Sequence, residues 1–156
     1  MIDKRKAFDS LIKKSEQILK SGLDRDDKLK NICKLLKENV SYYNWVGFYT
    51  VDKERENELI LGPFEGEPTV HARIPFGSGI CGQAAERGET YLVQDVTKET
   101  NYLSCGVNVK SEIVIPIFKR GRIVGELDID SHLKAPFSRE DETFLKKTGE
   151  MVSRIL

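Results

Sequence analysis

Apolar residues recur at helical spacing at both ends of the chain and at strand spacing between them. Over residues 3–20, Phe8, Leu11, Ile12, Ser15, Ile18 and Leu19 fall on one face of a 3.6-residue period, and the intervening Lys and Glu residues make a solvated face. Ser21-Gly22 ends this helix. A second helix is predicted over 25–39, with Leu29, Ile32, Cys33, Leu35 and Leu36 inward. Cys33 sits inside that stripe, where a cysteine behaves as a small buried hydrophobe. The period then changes. Residues 45–51 (WVGFYTV) are rich in aromatic and β-branched types and predict a strand, 58–64 (ELILGPF) a second, and 69–75 (TVHARIP) a third with His71 and Arg73 on one face. Glu65-Gly66-Glu67-Pro68 carries turn chemistry between the last two. The short connections predict an antiparallel meander.

A short strand is expected over 90–94, and 111–118 and 122–130 form a hairpin around Lys119-Arg120-Gly121. Pro136 and Ser138 open a last helix, where Ser138 and Asp141 have the spacing of a capping box. Phe144, Leu145, Thr148, Met151, Val152 and Ile155 form its inner stripe. The expected fold class is therefore α+β: about six strands in an antiparallel sheet, with the N- and C-terminal helices packed on one face. One domain over 1–156 is expected, with helices over 1–40, sheet and site loops over 41–137, and the closing helix over 138–156.

Composition narrows the function classes. Lys plus Arg and Asp plus Glu are 25 each, so the chain lacks the basic excess of a nucleic-acid surface. No apolar run approaches the ~18 residues of a membrane helix, and MIDKRKAFDS has no apolar signal-peptide region. Three cysteines without a CxxC pair do not make a secreted disulfide framework, so a cytoplasmic protein with reduced thiols is expected. The scattered Cys residues and two His residues give no metal-ligand spacing, and no metal is expected.

Two stretches carry candidate chemistry. Residues 77–82 (GSGICG) fit G-x-G-x-x-G, but the strands before them read as hairpin-connected. The next acid, Asp95, also follows Gly82 too closely for the ~20-residue spacing of a dinucleotide site. The simpler reading is a glycine turn into a short helix over 80–87, closed by Gly88. Cys81 then lies in its first turn, where the helix N-terminus favours a thiolate; alternatively it packs against the sheet. Residues 95–110 form a long loop holding Asn101, Tyr102 and Cys105, a candidate lid. Cys105 leads into the hairpin, where Asp128 and Asp130 share one strand face and Glu112 lies on the paired strand. Taken singly, such acids are solvated or turn-forming residues, and Trp45 is a core residue. Together, a thiol beside crowded carboxyls makes a redox or binding site.

NWVGFY (44–49), LILGPFEG (59–66), RIPFGSGICG (73–82), Cys105 followed by Glu112 in SEIV, and GELDIDS (125–131) occur in this order. Together they resemble the free methionine-(R)-sulfoxide reductases, which are single GAF-domain enzymes. The resemblance implies that Cys105 attacks the sulfoxide sulfur and that Cys81 matches a second family cysteine. It implies that Trp45 and Tyr49 line the substrate pocket, and that Glu112, Asp128 and Asp130 hold the substrate's polar atoms. It also implies a cytoplasmic, often homodimeric enzyme with no cofactor, for which thioredoxin is the reductant. One position departs from the pattern: His71 stands where many members carry the cysteine that resolves the sulfenic acid. Either Cys81 or an outside thiol then resolves, or the chain is a non-catalytic GAF module that binds a small ligand or senses redox state. One of the three acids is expected to stay protonated as the proton donor, because crowding raises a carboxyl pKa; Glu112, nearest to Cys105 in sequence, is the first choice.

Overall fold

The computed structural model describes residues 3–103 and 106–156. Helices α1 (Lys4–Lys20) and α2 (Arg25–Asn39) lead into strands β1 (Trp45–Val51), β2 (Glu58–Glu65) and β3 (Arg73–Pro75). Helix α3 (Gly79–Arg87), strand β4 (Tyr91–Val93), the hairpin strands β5 (Ser111–Lys119) and β6 (Arg122–Ser131), and helix α4 (Arg139–Val152) follow. The strands form one sheet in the order β3-β2-β1-β6-β5-β4, and every neighbouring pair is antiparallel. The expected α+β architecture is what forms.

Alternation along the central strands divides the molecule into two layers. Val46, Phe48, Ile113, Ile115, Leu127 and Ile129 face the layer filled by α1, α2 and α4, with Phe8 of α1 stacked on Phe144 of α4 at 4.3 Å. Trp45, Tyr49 and Val114 face the opposite layer, which α3 covers with Ile80, Cys81, Ala84 and Ala85. Cys33 is buried in the first layer, its Sγ 3.6 Å from the Pro63 carbonyl, and burial pushes its thiol well above the ordinary range. It is a core residue.

Three expectations are corrected. The third strand begins at Arg73, not at residue 69. Residues 69–72 turn locally instead: the His71 N–H donates to Thr69 Oγ1 at 3.1 Å, the Ala72 N–H donates to the Val70 carbonyl, and Val70 is 90% exposed. Such local bonds compete with the ladder at a sheet edge. The fourth strand is only Tyr91–Val93, and the 95–110 loop opens with a single 3₁₀ turn, Val96–Lys98. Asp95 accepts from the N–H and hydroxyl of Thr97 there. The β5–β6 turn needs positive φ at both central residues, and Arg120 (54°) and Gly121 (75°) supply it.

Asp141 ties the helical layer together. Its buried carboxylate reaches back to the Ser138 backbone N–H at 2.9 Å and accepts from Lys4 Nζ at 2.8 Å, Tyr42 Oη at 2.6 Å and Tyr43 Oη at 2.8 Å. It therefore joins the start of α4 to α1 and to the segment entering β1. Burial raises its pKa, but Lys4, the Tyr phenols and the Ser138 N–H more than offset this and hold it below the usual carboxylate range. Its stabilisation is thus present above the unfolded value near ~3.9 and lost as pH falls through the folded one. Asp141→Ala is expected to cost about 3–5 kcal/mol in urea unfolding at neutral pH, and this deficit shrinks as pH falls below ~4.

Candidate active site

The second layer is unusual in what it buries. Strand β6 points Glu126, Asp128 and Asp130 into it, and all three are buried. In register, Asp130 lies between Trp45 and Glu112, Asp128 between Gly47 and Val114, and Glu126 between Tyr49 and Pro116. Four carboxyls thus occupy one buried face of two paired strands.

Helix α3 brings the thiol to them. The chain leaves β3 through Gly77-Ser78-Gly79, whose Gly77 and Gly79 have φ of 89° and 66°. The bend sets the first turn of α3 against the sheet, so Cys81 Sγ lies 3.3 Å from Asp128 Oδ2 and 3.7 Å from Glu112 Oε2. One donor atom from each of the three residues lies within 4.8 Å of the others. Burial raises the Asp128 pKa, while its hydrogen bonds with Glu112 and Cys81 act in the opposite direction. The strand before this turn pairs antiparallel with β2, so no parallel dinucleotide-binding unit exists here.

Of the expected site residues, Cys81, Glu112 and Asp128 converge, and Asp130 is the cross-strand neighbour of Glu112. Cys105 lies outside the described residues. Trp45 and Tyr49 share the face but are packed among its apolar residues. The Trp45 ring stacks on Phe64 at 5.3 Å, donates from Nε1 to the Glu67 carbonyl at 3.0 Å and covers Gly47, where any Cβ would meet the ring at 2.3 Å. Tyr49 donates to the His71 carbonyl at 3.3 Å. Ile74, Ser78, Gly79, Ile80, Cys81, Leu103 and Glu112 bound a cavity of about 10 Å³, room for roughly one water.

Three residues with a part in the site went unrecognised in the sequence. Asn101, which the sequence marks only as a loop residue, accepts from the Gly79 N–H at 2.8 Å and donates to the Gly77 carbonyl at 2.7 Å. Gln83 donates to the carbonyls of Gly79 and Asn101. Together they clamp the 95–110 loop to the glycine turn. Glu126 extends the i, i+2 spacing of the two aspartates by one step, a signal that was available. Among the described residues neither of its oxygens has a hydrogen-bond partner. Burial, then the nearby Asp128 charge, raises its pKa well above the ordinary range.

Comparison with known proteins shows the family and the fold. The GAF domain family model matches residues 24–156. Protein YtsP of Bacillus subtilis is 38% identical over 99% of this chain and 93% of its own length. The free methionine-R-sulfoxide reductase of Escherichia coli is 36% identical over 82% of this chain and 75% of its own. The chain belongs to the free methionine-R-sulfoxide reductase family of GAF-domain proteins. A solved reductase of this family, from Neisseria meningitidis in complex with its substrate, superposes with a TM-score of 0.92 at 35% identity, covering 99% of this chain and 91% of that one. Among the described residues, no helix is long and apolar enough to cross a membrane.

The buried β6 glutamate has a measurable signature. Because Glu126 is held protonated in the fold but ionises when unfolded, it destabilises the native state progressively as pH rises above the unfolded value of ~4.3. Glu126→Gln is therefore expected to gain stability over wild type with rising pH, by up to about 1.4 kcal/mol per pH unit until Glu126 ionises in the fold, and to lose that advantage below pH ~4. Denaturant midpoints across pH 4–8 for the two proteins check this.

Proposed function

We propose that this chain reduces free L-methionine-(R)-sulfoxide to methionine. The observation that carries the reading is the dry cluster of Cys81, Glu112 and Asp128, with Leu103 of the Cys105 loop in its cavity wall, in a chain of this reductase family. Cys105, as thiolate, attacks the sulfoxide sulfur. The departing oxygen needs one proton, and a carboxyl that burial keeps protonated supplies it; Asp128, whose pKa burial raises, and Glu112, hydrogen-bonded to it, are the two candidate donors. The products are methionine and a Cys105 sulfenic acid. A second thiol condenses with the sulfenic acid to a disulfide and releases water, and a dithiol then returns both sulfurs to the reduced state. With His71 at the usual resolving position, Cys81 is the thiol in this chain that resolves.

The substrate is a zwitterion. Its ammonium pairs with the carboxylates of Asp130 and its neighbours, its carboxylate takes backbone N–H donors of a glycine-containing loop, and its S-methyl group packs toward Trp45 and Tyr49. A cavity of about 10 Å³ does not hold an amino acid, so binding requires the Leu103 side of the loop to lift from Gly79. The resemblance further supports a cytoplasmic homodimer of single-domain chains recycled by thioredoxin.

A second reading has one specific observation behind it. With a histidine in place of the family's resolver, the chain would bind the sulfoxide as a GAF module without turning it over. Turnover of free L-methionine-(R)-sulfoxide with dithiothreitol and with thioredoxin separates the two. Wild type is expected to turn over with both, Cys105→Ser to lose at least about a thousandfold, and Cys81→Ser to lose the thioredoxin reaction selectively. Single-turnover rates of Glu112→Gln and Asp128→Asn are expected to fall about 10²–10⁴-fold for whichever residue donates the proton. Binding without product by wild type would establish the module instead.

A further inference from the structure

We propose that Cys81, Glu112 and Asp128 form a binding site for one zinc-type divalent cation. Bonds of ~2.3 Å to sulfur and ~2.0–2.2 Å to oxygen at tetrahedral angles place sulfur and oxygen ligands roughly 3.5 Å apart. The Cys81 sulfur is 3.3 Å from Asp128 Oδ2 and 3.7 Å from Glu112 Oε2, and the three donor atoms lie within 4.8 Å of one another. The ligands are thus spaced for the ion before it arrives, on a strand pair and a helix rather than on a loop.

A second observation points the same way. Asp128 is fully buried, and its Oδ1 has no hydrogen-bond partner among the described residues, so the carboxyl keeps an unused acceptor in the dry layer. Oδ2 already has the Cys81 thiol beside it, but a buried carboxylate oxygen with no donor of its own is a place for a cation. Ile74, Ile80 and Leu103 enclose the adjoining cavity, whose volume suits a single ion with at most one water. A thiolate with two carboxylates selects zinc, cadmium or cobalt over magnesium or calcium, which take all-oxygen sites with six or more ligands. The sequence hides this site because its three ligands are dispersed; antiparallel pairing of β5 with β6 and the packing of α3 bring them together.

The ion occupies the groups that the proposed reaction uses, so zinc and substrate exclude one another and zinc inhibits. That consequence rests on the proposed function; the binding itself does not. The test is titration of fully reduced protein with ZnCl₂ against a chromogenic chelator, paralleled by CoCl₂ absorption spectra. One equivalent per chain is expected, with a tetrahedral cobalt spectrum and a thiolate-to-cobalt charge-transfer band in the near ultraviolet. Cys81→Ser is expected to abolish the band, Asp128→Asn and Glu112→Gln each to weaken binding by about tenfold or more, and Cys33→Ser to change nothing. Circular dichroism confirms that each variant is folded, and the two carboxyl variants decide the matter if Cys81→Ser is not. A charge-transfer band that survives in folded Cys81→Ser, an octahedral cobalt spectrum, or carboxyl variants that bind as wild type would overturn the site. With thioredoxin rather than a chelating thiol as reductant, zinc is expected to suppress turnover and methionine sulfoxide to weaken zinc binding. Stoichiometric zinc with undiminished turnover would overturn the inhibition alone, and absence of turnover in metal-free protein would count against the enzyme reading alone.

Discussion

Strand β6 is paired on both edges, with β1 on one side and β5 on the other, and both of its faces are covered. Its side chains therefore have only two dry layers to enter. Leu127 and Ile129 enter the helical layer, where the burial of aliphatic surface supplies most of the driving force. Period-two alternation then leaves Glu126, Asp128 and Asp130 in the other layer, beside Glu112. A register slip of one residue would move the acids into the main core and the aliphatics out of it, so the register is held by the whole helical layer. The core that folds the protein is thus also what compels four carboxyls into a buried layer.

The remaining features of that layer answer this constraint. Carboxyls there lower their cost by holding a proton or by finding a donor. Burial pushes Glu126 toward the first, and Asp128 finds the Glu112 carboxyl and the Cys81 thiol. Those contacts need α3 close to the sheet. Gly82 allows it, since a Cβ there would lie 2.5 Å from the Pro75 carbonyl. Asn101 and Gln83 then fasten the long loop over the glycine turn and close the layer.

How much of this was legible follows from the range of the interactions involved. The long helices, the β5–β6 hairpin and the Ser138–Asp141 cap were readable because each is written in spacings of two to four residues. The third strand was overextended because 69–75 alternates like a strand, while its outcome depended on a Thr69 side-chain bond and on having a single partner at the sheet edge. The acids at 128 and 130 were placed on one face correctly by periodicity. Their burial was not readable, since acids at a strand end are ordinarily solvated and only the topology shows that α3 lies over them. Glu126 was passed over for a related reason: a glutamate beside a glycine in an apolar strand reads as a surface residue until both neighbouring strands are in place. The grouping of Cys81 with Glu112 and Asp128 joins residues about thirty to fifty positions apart in the chain and has no local signature at all.

That grouping underlies both occupants proposed for the site. A thiol and two carboxyls in a low-dielectric layer repel one another whenever more than one is ionised, and the energy is large because water does not screen it. Three kinds of positive charge relieve it: a proton shared between the groups, the ammonium of an amino acid, or a metal cation. The proton is the smallest and leaves a group ready to donate to a departing oxygen. In the proposed reaction, the ammonium of the amino acid enters this layer beside the carboxyls. The cation fits the donor spacing and, once bound, removes the proton that the chemistry needs. The proposed reactivity toward a sulfoxide and the proposed affinity for a thiophilic metal therefore rest on one electrostatic arrangement, and a substitution that relaxes the crowding would act on both.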